Sequence, residues 1–314
     1  MSPAGPMLAV LSDRRDFGGE VWLFERKLDG VRALARRDGD RVRLFSRTGQ
    51  PLDATYPEII DALAAQPCHD FEVDGEVVAM EAGRTSFTRL QRRIQIGDAK
   101  AARASGVRVD FYLFDVLRLD GRDTTALPLR ERKRLLRGAL RFGRPLRFTP
   151  HRNAGGQELL DKVCGSGWEG LIAKRADSRY VRRRSTDWLK LKCSAGQEMV
   201  IAGFTDPAGT RTGFGALLLG YYEGGRLRYA GRVGTGFDNA TLRRLRSRLD
   251  ALEQDRPTFA APEELPAAER SAHWVRAELV AQVEFTEWTR DGRLRHPRFL
   301  GLREDKRAKD VVRE

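Results

Sequence analysis

The sequence predicts an α+β protein of two domains, and three observations lead there. At 314 residues the chain exceeds the ~250 residues at which single cores usually stop growing. Its first part alternates strand-like apolar runs with stretches of helical spacing. After Lys192 the texture changes to short strands joined by Gly-rich turns, with a single helix among them. Residues 1–195 thus read as a mixed α/β domain and residues 196–314 as a smaller, mainly β domain.

In the first domain, residues 21–27, 31–36 and 41–46 are strand-like, and the turn Arg37-Asp38-Gly39-Asp40 makes the last two a hairpin. Residues 56–65 have helical spacing at Ile59, Ile60 and Leu63 behind a Tyr-Pro start. Residues 71–80 and 109–117 look like core strands, and 130–140 like a basic amphipathic helix. Residues 97–106, rich in Ala and charge, are a surface loop or a short exposed helix. In the second domain, strands are expected at 200–204, 216–222, 227–233 and 279–286 and a helix at 239–252, with 256–270 a Pro- and Ala-rich connector. About five short strands and one helix suit a small OB-type β-barrel, although a sandwich shares that signature.

Hydrophobic residues make up 41% and charged residues 32%, a globular rather than disordered composition. No apolar run approaches the ~20 residues that span a bilayer, and no basic segment precedes the N-terminal apolar run, so neither a membrane nor secretion is expected. Cys68, Cys164 and Cys193 are odd in number with no C-x-x-C pair, and the four histidines are dispersed, which argues against a disulfide framework and a structural zinc site. The net charge is +13, and residues 1–195 carry 37 basic against 26 acidic groups. Such an excess suits a polyanion, nucleic acid first, or simply a soluble basic surface. Of the 57 basic residues only nine are Lys. Guanidinium does not give up its proton, whereas a shielded Lys amine can become a nucleophile, so in so Arg-rich a chain each Lys counts.

Five of those lysines fall in an ordered set of motifs. Glu25-Arg26-Lys27-Leu28-Asp29-Gly30 comes first, followed by Ser46-Arg47-Thr48-Gly49, Asp74-Gly75-Glu76 and the run Phe111 to Asp115. Then come Glu169-Gly170-Leu171-Ile172-Ala173-Lys174, Trp188-Leu189-Lys190-Leu191-Lys192 and Leu302-Arg303-Glu304-Asp305-Lys306. Alone, K-x-D-G fits a hairpin with a solvated Lys. Glu76 and Glu169 alone fit strand-end acids in salt bridges, but the same carboxylates suit Mg²⁺ or Mn²⁺ beside phosphate oxygens, or for Glu76 a ribose hydroxyl. Arg32 and Arg47 can hold ribose or phosphate, or be two surface arginines among many. Lys190 and Lys192 alternate along a strand, which puts both amines on one face.

Taken together and in this order, the motifs resemble those of the covalent nucleotidyltransferases, in particular the ATP-dependent DNA ligases. The C-terminal segment, from His273-Trp274-Val275 through Glu284 to Thr289 and on to Lys306, is most similar to the ligase component of bacterial end-joining enzymes of the LigD type. The resemblance implies an adenylation domain followed by an OB-fold domain. It implies a monomeric ATP-dependent ligase that seals 5′-phosphate/3′-hydroxyl nicks in duplex DNA through lysyl-AMP, in DNA repair and end joining. Lys27 would be the nucleophile, its pKa depressed by Arg32, Lys190, Lys192 and a bound Mg²⁺ or Mn²⁺. Lys190 and Lys192 would face the α-phosphate. Phe114 would stack on adenine with Ile172 or Leu171 opposite, Glu25 would help recognise the base, and Lys174 belongs to the same nucleotide-binding set. Arg303, Asp305 and Lys306 would swing over the nucleotide and orient pyrophosphate, with Glu76 and Glu169 holding the metal. A Ku-type end-binding protein and separate polymerase and phosphoesterase components are the implied partners, since 314 residues leave no room for those modules. The implied setting is the bacterial cytoplasm, near the nucleoid. The rivals are an RNA ligase, a GTP-dependent capping-type enzyme, and a non-catalytic DNA-end-binding protein.

Overall fold

The alternation that marks Val31–Asp38 as a strand builds the larger sheet of the first unit. Val31, Ala33 and Ala35 are buried on one face, while Arg32 and Leu34 point to the other. In the computed structural model, which describes all residues except 1–4, 15, 19–20, 194–195, 208, 210–211 and 314, the chain divides into two compact units, Met1–Cys193 and Ser194–Glu314. Among the described residues no helix is long and apolar enough to cross a membrane.

The larger sheet runs in the order Arg41–Ser46, Val31–Asp38, Asp70–Glu81, Val109–Leu119, Arg122–Asp123. These neighbours are antiparallel, and Leu146–Phe148 adds in parallel to Val109–Leu119. Its inner face packs against Ile59 and Leu63 of the helix Pro57–Ala64, Phe87 and Leu90 of Phe87–Ile94, and Leu136 of Leu129–Ala139. Burying each such side chain contributes ~1.5–3 kcal/mol before entropy is counted.

The smaller sheet runs Leu8–Leu11, Arg184–Lys192, Gly170–Arg175, Trp22–Arg26, His151–Arg152. Here too one face is apolar, with Trp22, Phe24, Leu171 and Leu191 set against Leu160 and Val163 of the helix Gly156–Gly165. The remaining faces of the two sheets meet through Leu34, Phe114, Tyr180 and Trp188. That contact places the polar residues of both sheets around one cleft.

In the second unit one seven-stranded sheet wraps a single core, in the manner of an OB-type barrel rather than two stacked sheets. Bulges between Ile201 and Gly203, between Leu219 and Gly220, and between Gln282 and Val283 supply the bending such wrapping needs. The helix Asn239–Asp250 buries Leu242, Leu245 and Leu249 and is capped by Asp238, whose carboxylate accepts from Thr241 N at 2.7 Å.

Several details differ from the sequence reading. The segment 97–106 does form a short helix, Ala99–Ala104, but the helices Phe87–Ile94 and Gly156–Gly165 and the strands His273–Val275 and Arg298–Leu302 were not anticipated. Lys27 is not at a hairpin turn: its N–H donates to Gly170 O at 2.9 Å and so extends the strand pairing by one residue. The expectation against disulfides also needs correction, because Cys164 at the end of a helix and Cys193 at the end of a strand are bonded, 29 residues apart in sequence. The helix packs across that sheet, which brings the two thiols together.

Candidate active site

Strand register assembles the site. Glu25 on Trp22–Arg26 lies beside His151 on one side and Ile172 on the other, and Ile172 in turn lies beside Lys190. These four share one row on the face turned to the cleft. Lys174 and Trp188 are cross-strand neighbours in the next row, and Lys192 pairs with Gly170, directly after Glu169. Alternation along Arg184–Lys192 thus carries Trp188, Lys190 and Lys192 on one face. Gly170 is required here: its φ is +145° and a Cβ would lie 2.0 Å from Leu191 O, so only glycine lets Glu169 approach.

Lys27 Nζ is in direct ion-pair contact with Glu169 Oε1, while Glu169 Oε2 is buried without a hydrogen-bond partner. The electrostatic setting reverses the expected one. Burial alone would lower the pKa of Lys27, but Glu169 outweighs it, helped by Asp29 and Glu76, and the amine is held above its ordinary value. Arg32 cannot depress it as expected, because its guanidinium is committed to Asp74 in a bidentate pair at 2.5 and 2.6 Å. Tyr180 O–H donates to the same carboxylate at 2.6 Å. Burial works against the Arg32 charge, yet Asp74 raises its pKa further.

The aromatic part of the site is compact. Phe114 and Trp188 meet edge to face at 6.0 Å, and Lys174 Nζ lies 4.0 Å from each ring centroid. Burial pushes the Lys174 amine down to about 8 although Glu25 pulls the other way. Arg32 lies 4.5 Å over Phe114. Arg47 follows the strand Arg41–Ser46, whose Ser46 pairs with Ala33, and so sits at the Lys27 end of the sheet. Glu76 pairs in register with Arg32 and is half-buried.

Lys27, Glu169, Glu76, Glu25, Arg32, Phe114, Ile172, Lys174, Lys190 and Lys192 all belong to the first unit and its cleft-facing strands or their ends. Arg303 and Lys306 belong to the second unit, where Arg303 is buried in a bidentate pair with Asp305 at 2.9 and 2.8 Å and Lys306 pairs with Glu198 at 2.9 Å.

Three or more His, Cys, Asp or Glu side chains do not converge anywhere among the described residues as a metal site would require. Mg²⁺ does not need such a cage, since it is commonly held by one or two carboxylates with phosphate oxygens and water completing its shell. The orphaned Glu169 Oε2 fits that donor set, with Glu76 facing the same amine.

One participant escaped sequence reasoning. Lys133, on the helix Leu129–Ala139, places Nζ 2.5 Å from Glu25 Oε1, while Lys174 Nζ lies 2.8 Å from Glu25 Oε2. Burial would raise the Glu25 carboxyl, but Lys133 and then Lys174 hold it below the usual range. The one available signal was the scarcity of lysine.

Residues 6–192 match the family model described as ATP dependent DNA ligase domain, and residues 210–306 match the one described as ATP dependent DNA ligase C terminal region. The multifunctional non-homologous end joining protein LigD of Pseudomonas aeruginosa is 40% identical over 318 residues, covering 98% of this chain and 36% of that protein. Its namesake from Mycolicibacterium smegmatis is 38% identical over 314 residues, covering 98% of this chain and 39% of that protein. The chain therefore spans well under half the length of these relatives. Among solved structures, mycobacterial DNA ligase D complexed with ATP and MES aligns with a TM-score of 0.67 at 36% identity, covering 99% of this chain and 98% of that one.

Proposed function

The chain belongs to the ATP-dependent DNA ligase family, and we propose that it joins 5′-phosphate and 3′-hydroxyl ends at nicks in duplex DNA through an AMP carried on Lys27. The observation that supports this most is the half-buried contact of Lys27 with Glu169 on the cleft face that also carries Lys190 and Lys192. A lysine amine on an acid-lined, aromatic-walled cleft suits phosphoryl chemistry better than nonspecific binding.

In the first step the Lys27 lone pair forms a bond to the α-phosphorus of ATP, the bond to the bridging oxygen breaks, and pyrophosphate leaves with the electron pair. The proton that Glu169 holds on Lys27 must depart first, to solvent water. Lys190 and Lys192 donate to the α-phosphate oxygens and neutralise the charge that builds there. A divalent cation at Glu169 and Glu76 would supply positive charge to the phosphates and compete with Lys27 for the same carboxylate. In the second step an oxygen of the DNA 5′-phosphate displaces Lys27, which takes up a proton. In the third the 3′-hydroxyl loses its proton, bonds to the 5′-phosphorus and releases AMP. The net charge of +13 favours phosphate contacts that position the duplex without reading its sequence.

Glu25, Phe114, Ile172 and Lys174 form the base end of this site, and Arg32, Arg47 and Glu76 its ribose and phosphate side. Arg303 and Lys306 act on pyrophosphate, which requires them to exchange their present carboxylate partners for phosphate. End joining is the proposed setting because the relatives are end-joining proteins, with a Ku-type protein and polymerase and phosphoesterase components as partners. We place this work in the bacterial cytoplasm, at the nucleoid, by a monomer. The test is sealing of a nicked duplex with ATP and Mg²⁺ or Mn²⁺ by the purified chain. Sealed product with transient lysyl-AMP is expected; tight binding without adduct or product would overturn the reading.

A further inference from the structure

Of the four lysines outside the sequence motifs, Lys100, Lys162 and Lys309 are exposed, whereas Lys133 is 2% exposed. Burying an ammonium is costly unless it is paired, and a solvated place on the same basic helix was available to it. The helix instead turns Lys133 inward onto Glu25, which is equally buried. Glu25 Oε1 and Lys133 Nζ meet at 2.5 Å, while His151 Nδ1, on the strand next to Glu25, is buried and unpartnered. Orphaned polar atoms are uncommon in protein interiors. His151 Nδ1 is such an atom, and its place beside Glu25 marks an edge where a polar partner is missing. The neighbours of Glu25 in its row, His151 and Ile172, are half-buried, so Glu25 lies on the floor of a partly open strip.

We propose that Lys133 is a specificity-determining positioning residue: with Lys174 it keeps Glu25 an ionised, acceptor-only carboxylate, so that the site takes a 6-aminopurine nucleotide and rejects a 6-oxopurine. An ionised carboxylate accepts from the exocyclic N–H of a 6-aminopurine and repels the carbonyl oxygen at the same position of a 6-oxopurine. A protonated carboxyl can donate and loses that discrimination. Lys133 acts through Glu25, and His151 closes the same edge. This rests on the proposed reading of Lys27 as the AMP carrier.

The experiment measures initial rates of adduct formation with α-labelled ATP, α-labelled GTP and purine riboside triphosphate, which lacks the amine, between about pH 6 and pH 8. The intact protein should prefer ATP over both other nucleotides at every pH. Lys133→Met should lose about tenfold or more of the ATP-over-GTP preference, the charge-assisted hydrogen bond being worth that much, and lose most at the acid end. Lys133→Arg, which keeps the cation, should restore a preference independent of pH. A folded Lys133→Met with an unchanged ratio would show a merely structural lysine and overturn the inference. If that variant does not fold, equal rates of the intact protein with ATP and purine riboside triphosphate would overturn it instead. Failure of the intact protein to form any adduct would sink the ligase reading and this inference with it, whereas an adduct formed with no nucleotide preference would sink this inference alone.

Discussion

Lys27 Nζ rests on Glu169 Oε1, across the break between the strand Trp22–Arg26 and the start of Gly170–Arg175. The resting protein therefore stores its amine as an ammonium, held above its ordinary pKa chiefly by that carboxylate. An amine in this state is protected from stray electrophiles and is freed only when something competes for Glu169.

Glu169→Gln should therefore make Lys27 easier to deprotonate, because it removes the charge and keeps the shape. Modification of Lys27 by an amine-selective reagent, followed by peptide mass spectrometry across a pH series, reads this directly. The midpoint for Lys27 should fall in the variant. An unmoved midpoint would mean that Glu169 does not govern the amine. The same variant should lose lysyl-AMP formation, since the carboxylate is also proposed to hold the metal.

Arg303→Ala should destabilise the second unit, whatever it does to catalysis. Arg303 and Asp305 are 8% and 5% exposed, and removing one partner of a buried ion pair leaves the other charge stranded at a cost of about 3–5 kcal/mol. Calorimetry should show a clear loss of melting temperature for Arg303→Ala and a much smaller one for Lys306→Ala, whose pair with Glu198 is less enclosed. Equal melting curves for the two variants would refute the structural role of Arg303. A catalytic test of this motif is consequently cleaner with Lys306.

Lys174 gives a pH-dependent contribution of definite sign. Its amine titrates at about 8 in the folded protein against an ordinary value of 10.5. Between those values the unfolded chain binds more protons, so the contribution of this residue to stability increases as pH rises from about 8 toward 10. Denaturant unfolding of the intact protein and of Lys174→Met should diverge in that sense over this window. A difference that stays constant or shrinks with rising pH would contradict the burial of Lys174 as an ammonium beside Phe114 and Trp188.

Much of the first unit was legible because apolar residues alternate cleanly in Val31–Asp38 and Val109–Leu119. The helix Phe87–Ile94 was hidden for a physical reason. Its Arg93 is 1% exposed and donates to Thr55 O and Val107 O, so a residue that reads as solvated is part of the interior. Arg132 does the same, bound to Asp115 at 2.7 and 2.9 Å. Ordered motifs singled out Lys27, Glu169 and Lys190 as candidates because each lies within a short local pattern. Lys133, His151 and the Cys164–Cys193 bond depend on which helix or strand packs over which, and local pattern carries no trace of that. The sign of the Lys27 shift was missed for a related reason, since Arg32 was counted as a free cation while Asp74 holds it.

The most direct measurement is the mass and linkage of the nucleotide adduct. The purified protein is incubated with ATP and a divalent cation, digested, and mapped for a single added AMP. AMP should be found on Lys27 alone, as an acid-labile phosphoramidate, and should be absent from Lys27→Arg, whose guanidinium is no nucleophile at neutral pH. AMP on any other residue, or comparable labelling of Lys27→Arg, would contradict the assignment of Lys27 as the nucleophile.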